Sequence, residues 1–158
     1  EDALKAKPIY LNRFQRDPAN VEHFNTAVDV TVQSHQLAAL RPLIDLFQAK
    51  MTRNERNLAA LARAYNYLGD YANKEKVYEE MTTLIPNDPV PWYDLAKAQM
   101  RLKKPNAAAT SLLQSLTLYS KAGTNNQYDI PAFTRTNAIM APLRERPEIQ
   151  KLLNPKED

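Results

Sequence analysis

The stretch 58-LAALARAYNYLGDYANKEKVYEEMTTLIPND-88 decides the fold of this 158-residue chain. Apolar residues at positions 58, 61, 62 and 65 recur at helical spacing before Gly69-Asp70 breaks the pattern, and a second helical run ends near Pro86. Two short helices around a turn are expected. Thirty-four residues on, 92-WYDLAKAQMRLKKPNAAATSLLQSLTL-118 repeats the plan with different letters. A shift of 34 pairs Leu58 with Trp92, Leu61 with Leu95, Ala62 with Ala96, Ala64 with Ala98 and Leu84 with Leu118. The reverse shift pairs Leu58 with Phe24, Leu61 with Ala27, Tyr78 with Ile44 and Met81 with Phe47. A fixed period of this length marks a repeat architecture. Three units follow, at residues 21–54, 55–88 and 89–122. Pro8 falls on Pro42 and Tyr10 on Ile44, so residues 1–20 read as a half repeat or an N-terminal helix.

The composition agrees with helices alone. Only Gly69 and Gly123 are glycines, too few for hairpins and sharp loops, and the eleven prolines are expected at helix starts or between helices. Past residue 122 the register fails. "KAGTNNQ" (121–127) reads as loop, "DIPAFTRTNAIMAPLR" as one helix with Pro131 in its first turn and Ile130, Phe133 and Ile139 facing inward, and "RPEIQKLLN" as a last helix opened by Pro147. Residues 123–158 are expected to form a loop and C-terminal helices that cap the array with a more polar outer face.

The middle unit places Leu58, Leu61, Ala62, Tyr65, Gly69, Tyr71, Tyr78 and Pro86 in an order that resembles the tetratricopeptide repeat family. The third unit supplies Trp92, Leu95, Ala96 and Ala108 but puts Lys103 at the turn glycine, and the first unit has His35 there. Lys74 stands where Ala108 stands in the next unit, a departure at a position that favours small side chains. The resemblance implies an all-α, right-handed superhelix of stacked antiparallel helix pairs, an α-solenoid closed by the C-terminal helical tail. Physically, each pair exposes an apolar stripe that only a neighbouring pair can bury.

No chemistry-bearing constellation emerges. His23 and His35 are twelve residues apart, against the spacing of four that pairs metal ligands on a helix. Glu79 and Glu80 are adjacent and diverge, and two isolated glycines cannot build a phosphate loop. Neither a catalytic set nor a metal site nor a cofactor is expected, and no small-molecule substrate is evident. With no cysteine, disulfides and thiolate chemistry are excluded.

The resemblance further implies that the first helix of each pair lines a concave groove. Solvent-facing candidates there are Glu22, Asn25, Thr26, Asp29 and Gln33 in the first unit, Arg56, Ala59, Ala60, Arg63, Asn66 and Tyr67 in the second, and Tyr93, Asp94, Lys97, Met100 and Arg101 in the third. Of these, Asn25, Asp29, Arg63, Asn66, Tyr67, Tyr93, Lys97 and Arg101 are the expected partner-binding residues. Arg63 and Lys97 repeat at the period, as do Tyr67 and Arg101, and Arg and Tyr are favoured at binding hot spots. The implied function is a non-catalytic scaffold for a protein or peptide partner, with Arg63, Lys97 and Arg101 pairing acidic groups on it. The family's chaperone-binding carboxylate clamp is absent, since its places hold Asn25, Asp29, Ala60, Val90 and Asp94.

Self-assembly through exposed array ends is the alternative, with RNA binding a lesser one. Formal net charge is only +3, and although residues 89–122 carry five basic side chains against one acidic, residues 55–88 carry four against six, so nucleic acid is disfavoured. No apolar run is long enough for membrane insertion. The chain begins at Glu1 rather than Met, which suits a mature or truncated form. Cytoplasmic and exported or periplasmic locations fit about equally.

Overall fold

The computed structural model describes residues 2–122 and 128–154, and every regular element among them is a helix. In chain order these are α1 (Asp2–Arg16), α2 (Val21–Gln33), α3 (Leu40–Lys50), α4 (Glu55–Leu68), α5 (Tyr71–Leu84), α6 (Pro89–Arg101), α7 (Pro105–Ala122), α8 (Ile130–Thr136), α9 (Ala141–Arg144) and α10 (Pro147–Leu153). Single 3₁₀ turns at Leu37–Ala39 and Ala138–Met140 lead into α3 and α9. The protein is an all-α helical repeat.

Helix starts and stops carry the 34-residue period in backbone detail. Asn20, Asn54 and Asp88, each 34 residues from the next, are the N-caps of α2, α4 and α6. Asn20 Oδ1 accepts from the Glu22 and His23 amides at 3.0 and 3.1 Å, Asn54 Oδ1 from Asn57 at 2.9 Å, and Asp88 Oδ1 from Val90 at 2.8 Å. These oxygens satisfy amides that a helix start leaves unpaired. At the other ends His35, Gly69 and Lys103 take φ of 56°, 68° and 58°. In each case the next amide reaches back five residues: Gln36 to Thr31, Asp70 to Tyr65, and Lys104 to Gln99, at 3.1, 3.0 and 2.9 Å. This is the left-handed C-terminal cap usually made by glycine. His35 and Lys103 adopt it despite a steric cost of about 1–2 kcal/mol. The turn therefore persists where its sequence signature has been lost.

The chain divides into two compact units, Glu1–Val77 and Tyr78–Asp158. In the first, α1 packs on α2, and α2, α3 and α4 pack on one another. Three fully buried rings centre it. Phe24 stacks on Phe47 with centroids 4.0 Å apart, and Phe14 lies 5.7 Å from Phe24. Leu40, Ile44, Leu58 and Leu61 complete the core. The Tyr65 hydroxyl donates to Gln48 Oε1 at 2.7 Å, so α4 is tied to α3 by a polar bond at the core margin. The half-buried Lys74 donates through its amine to Asn66 Oδ1 at 2.8 Å. Pro8 lies inside α1, contrary to the expectation that prolines avoid helix interiors.

In the second unit α6 and α7 are joined by buried polar bonds as well as by small residues. Ser111 Oγ donates to Gln99 Oε1 at 2.8 Å and Ser115 Oγ to the Pro89 carbonyl at 2.7 Å. Ala96 and Ala108 are wholly buried in the core they share. The tail helices α8, α9 and α10 pack on α7, and Ile130, Met140, Leu143, Ile149 and Leu153 add to a core with Leu112 and Leu116.

The tail differs from expectation in two ways. Lys121 and Ala122 belong to the last turn of α7, and the rest of the expected 121–127 loop lies outside the described residues. The single helix expected from Asp129 to Arg144 is broken at Asn137, whose backbone is extended and whose Oδ1 accepts from the Ile139 amide at 3.0 Å. An Asn side chain bonding locally offers the backbone an alternative to the helix, and Pro142 could not continue one.

Candidate functional site

Two exposed faces carry the expected binding residues. The first lies on α2 and α4. Both helices start at a side-chain cap and bury an apolar stripe, which leaves Glu22, Asn25 and Asp29 on α2 and Arg56, Arg63 and Tyr67 on α4 at the surface or half-buried. Glu22 and Arg56, one period apart, form an ion pair. Arg63 is held from three sides. Its Nη1 lies 3.0 Å from Asp29 Oδ1, its Nη2 donates to Asn25 Oδ1 at 3.0 Å, and its guanidinium lies 5.9 Å from the centre of the Tyr67 ring. The sequence-expected residues Asn25, Asp29, Arg63 and Tyr67 thus form one cluster. Asn66, also expected, is separate and accepts from Lys74. Ala60 is buried, because its position on α4 falls within the apolar stripe and not beside it.

The second face belongs to α6. Lys97 pairs with Asp94 one turn earlier, and its amine lies 4.9 Å above the Tyr93 ring, near enough for cation–π attraction. Asp94 also accepts a hydrogen bond from Tyr78. Burial, with the nearby Asp94 charge, holds the Tyr78 phenol far above its ordinary pKa. Tyr93 was expected at the solvent face and is instead 4% exposed, because α8 and the Asn137 turn fold over it. Burial raises its pKa too, against the opposing contact of the Asn137 amide, so the hydroxyl keeps its proton. Arg101 is exposed at the C-terminal end of α6 and does not line the cleft described next.

Between α6 and α8 run two adjoining cavities of about 350 and 300 Å³ that share Tyr93, Lys97 and Phe133. One continues to Thr136 and Asn137, the other to Val90, Tyr128 and Ile130. Phe133 and Tyr128 are each 46% exposed, with ring centroids 6.5 Å apart. Phe133 was expected to face inward with Ile130; only Ile130 does, at 1% exposure. On a helix of two turns, a three-residue spacing identifies two apolar positions without showing which one meets the core. Tyr128, Phe133 and Asn137 were not among the sequence-expected site residues, and nothing in the repeat period pointed to them because they lie beyond it.

Among the described residues no group of three His, Cys, Asp or Glu side chains could hold a metal ion, and no helix is long and apolar enough to cross a membrane. His23 is half-buried, and its Nδ1 lacks a hydrogen-bond partner among the described residues. Residues 55–98, covering α4, α5 and most of α6, match the family model of the tetratricopeptide repeat. No curated protein matches the chain.

Proposed function

Because residues 55–98 are a tetratricopeptide repeat, we propose that this protein is a non-catalytic interaction module that binds a peptide segment of a partner protein on the exposed faces of its first helices. Repeats of this family generally mediate protein–protein interaction and are typically non-catalytic. The observation that carries the reading is the α6–α8 cleft, where two large aromatic side chains remain half exposed beside a lysine. Aromatic surface of this kind is enriched at interface centres. Asn25, Asp29, Arg63 and Tyr67 offer a second contact area on α2 and α4.

The acidic character first expected of the partner is constrained by the ion pairs. A carboxylate approaching Arg63 has to compete with Asp29, and one approaching Lys97 with Asp94. The exposed Arg63–Asp29 pair is worth about 0–1 kcal/mol, so exchange there is inexpensive, whereas Lys97 and Asp94 are half-buried and Asp94 also holds Tyr78.

A photo-crosslinking amino acid placed separately at Tyr67, Phe133 and Thr110 tests the reading in the cells that make the protein. Adducts with a partner protein are expected from positions 67 and 133 and not from 110 on α7. RNase treatment should leave them intact. Adducts only at 110 would move the site off the first helices, and adducts solely between copies of this chain would favour self-assembly.

A further inference from the structure

The cleft between α6 and α8 is chemically one-sided. Its polar groups are nearly all donors. Lys97 has three N–H groups, of which Asp94 takes one. Asn137 uses its oxygen on the Ile139 amide, while its Nδ2 makes only a long contact of 3.5 Å to the Tyr93 hydroxyl and has a second N–H to give. That hydroxyl, in receiving the contact, retains its own proton to donate. The one carboxylate at the cleft, Asp94, is shared between Lys97 and Tyr78. The remaining walls are the apolar or aromatic Val90, Ile130, Tyr128 and Phe133, and Thr136, whose hydroxyl donates to the Ala132 carbonyl at 3.0 Å. Cavities of about 300–350 Å³ lie at the small end of ligand sites, ~300–1,000 Å³, and suit one or two side chains rather than a whole cofactor.

We infer that this cleft takes a peptide in which a bulky apolar side chain stands next to an Asp or Glu. The apolar side chain lies against Phe133 and Tyr128, and the carboxylate accepts from Lys97, Tyr93 and Asn137. The inference rests on the interaction reading above and gives that reading a partner chemistry. It differs from recognition by charge alone, because the donors fix the carboxylate while the Phe133 and Tyr128 rings select the neighbouring side chain.

The test is a backbone-amide NMR titration of the full chain with short acetylated, amidated peptides. The panel pairs Phe, Trp, Leu or Ile with Asp or Glu in both orders, flanked by Gly and Ser. At least one peptide is expected to bind, with shifts confined to residues 90–97 and 128–137. Binding should weaken about tenfold when the carboxylate becomes the carboxamide, as loss of a charge-assisted contact implies. Replacing the apolar residue by Ala, or the protein's Phe133 by Ser or Lys97 by Met, should weaken it similarly. Both protein positions are solvent-accessible, so melting temperatures should match the parent chain.

Equal affinity for carboxylate and carboxamide peptides overturns the inference, and so does equal affinity for the apolar and Ala versions. Absence of binding by the whole panel overturns it as well. Shifts confined to α2 and α4 overturn it while leaving the interaction reading standing, and the crosslinking at Tyr67 decides that reading independently.

Discussion

Arg63 and Lys97 occupy the same place in successive repeats, yet the structure uses them differently. Arg63 is bound by Asn25, Asp29 and Tyr67 and braces α4 against α2. Among the described residues Lys97 engages its own-helix neighbours Asp94 and Tyr93, and it opens onto an aromatic cleft completed by α8. A planar guanidinium with five donors can engage several partners on a neighbouring helix at once, whereas an ammonium acts as a point charge on a flexible stem. Periodicity therefore assigns a position, and the neighbouring element assigns the role. In the first unit that neighbour is another repeat helix; in the second it is the tail.

The comparison makes the cleft dependent on tail packing, and the largest expected effect tests this. Leu143 on α9 is fully buried, and Leu143→Ala should cost about 2–5 kcal/mol in urea unfolding. Amide exchange should accelerate most across residues 130–153, with the Arg63 cluster much less affected. Uniform acceleration throughout the chain would show that the two faces are not separately supported.

A smaller effect concerns the turns. Gly69→Ala should lose about 1–2 kcal/mol, because an added Cβ meets open space and only the positive φ penalises it. Lys103→Gly at the equivalent turn should be neutral or gain up to about 1 kcal/mol as that strain is relieved, against the extra chain entropy of glycine. Thermal melts of both variants decide whether the left-handed turns are equivalent. A destabilised Lys103→Gly protein would mean that the lysine stem contributes packing that outweighs the strain.

The brace itself comes next. Arg63→Ala is expected to destabilise by no more than about 1 kcal/mol, since the pair is two-fifths exposed on each side. Lys97→Ala should cost no more than about 1 kcal/mol and act chiefly on peptide binding. If Lys97→Ala proved the more destabilising of the two, the division of roles drawn above would be reversed.

The smallest effect is pH dependence at the α4–α5 turn. Burial favours the neutral form of Asp70, but hydrogen bonds from the Asn73 side chain and amide, together with Arg41, outweigh it and hold the carboxyl below its ordinary 3.8. A depressed folded-state pKa contributes stability that is complete above the ordinary value and is lost as pH falls through the lower folded value. The gap in melting temperature between the parent and Asp70→Asn should therefore be constant near neutrality and close in acid below about pH 4. A gap that persists unchanged in acid would assign the effect to helix capping rather than charge.

Much of the fold was legible in the sequence. Leu58, Leu61, Ala62, Leu95 and Ala96 are buried as their 34-residue spacing requires, and His35 and Lys103 form the turn that Gly69 alone announces. The caps Asn20, Asn54 and Asp88 also recur at that spacing, but as polar residues they stand outside the apolar pattern that defines the repeat. The binding faces were only half legible. Asn25, Asp29, Arg63 and Tyr67 do gather, but as a mutually satisfied cluster, and Tyr93 is covered instead of free.

Local rules can be read from one strand of text because they act within a turn or a period: helical spacing, capping and the left-handed turn each involve residues at most a few positions apart. The sequence by itself determined these, and with them the all-α repeat. Which side of α8 meets the core, whether Phe133 or Ile130 is buried, and what a basic side chain finds across the surface depend on contacts between residues about 40 positions apart, such as Tyr93 with Asn137 and Arg63 with Asn25. No local preference encodes those pairings. Packing α4 on α2 decided the Arg63 pairing, and packing the non-repeating tail onto the last helix pair decided the others, since a short amphipathic helix has several nearly equivalent ways to bury one face.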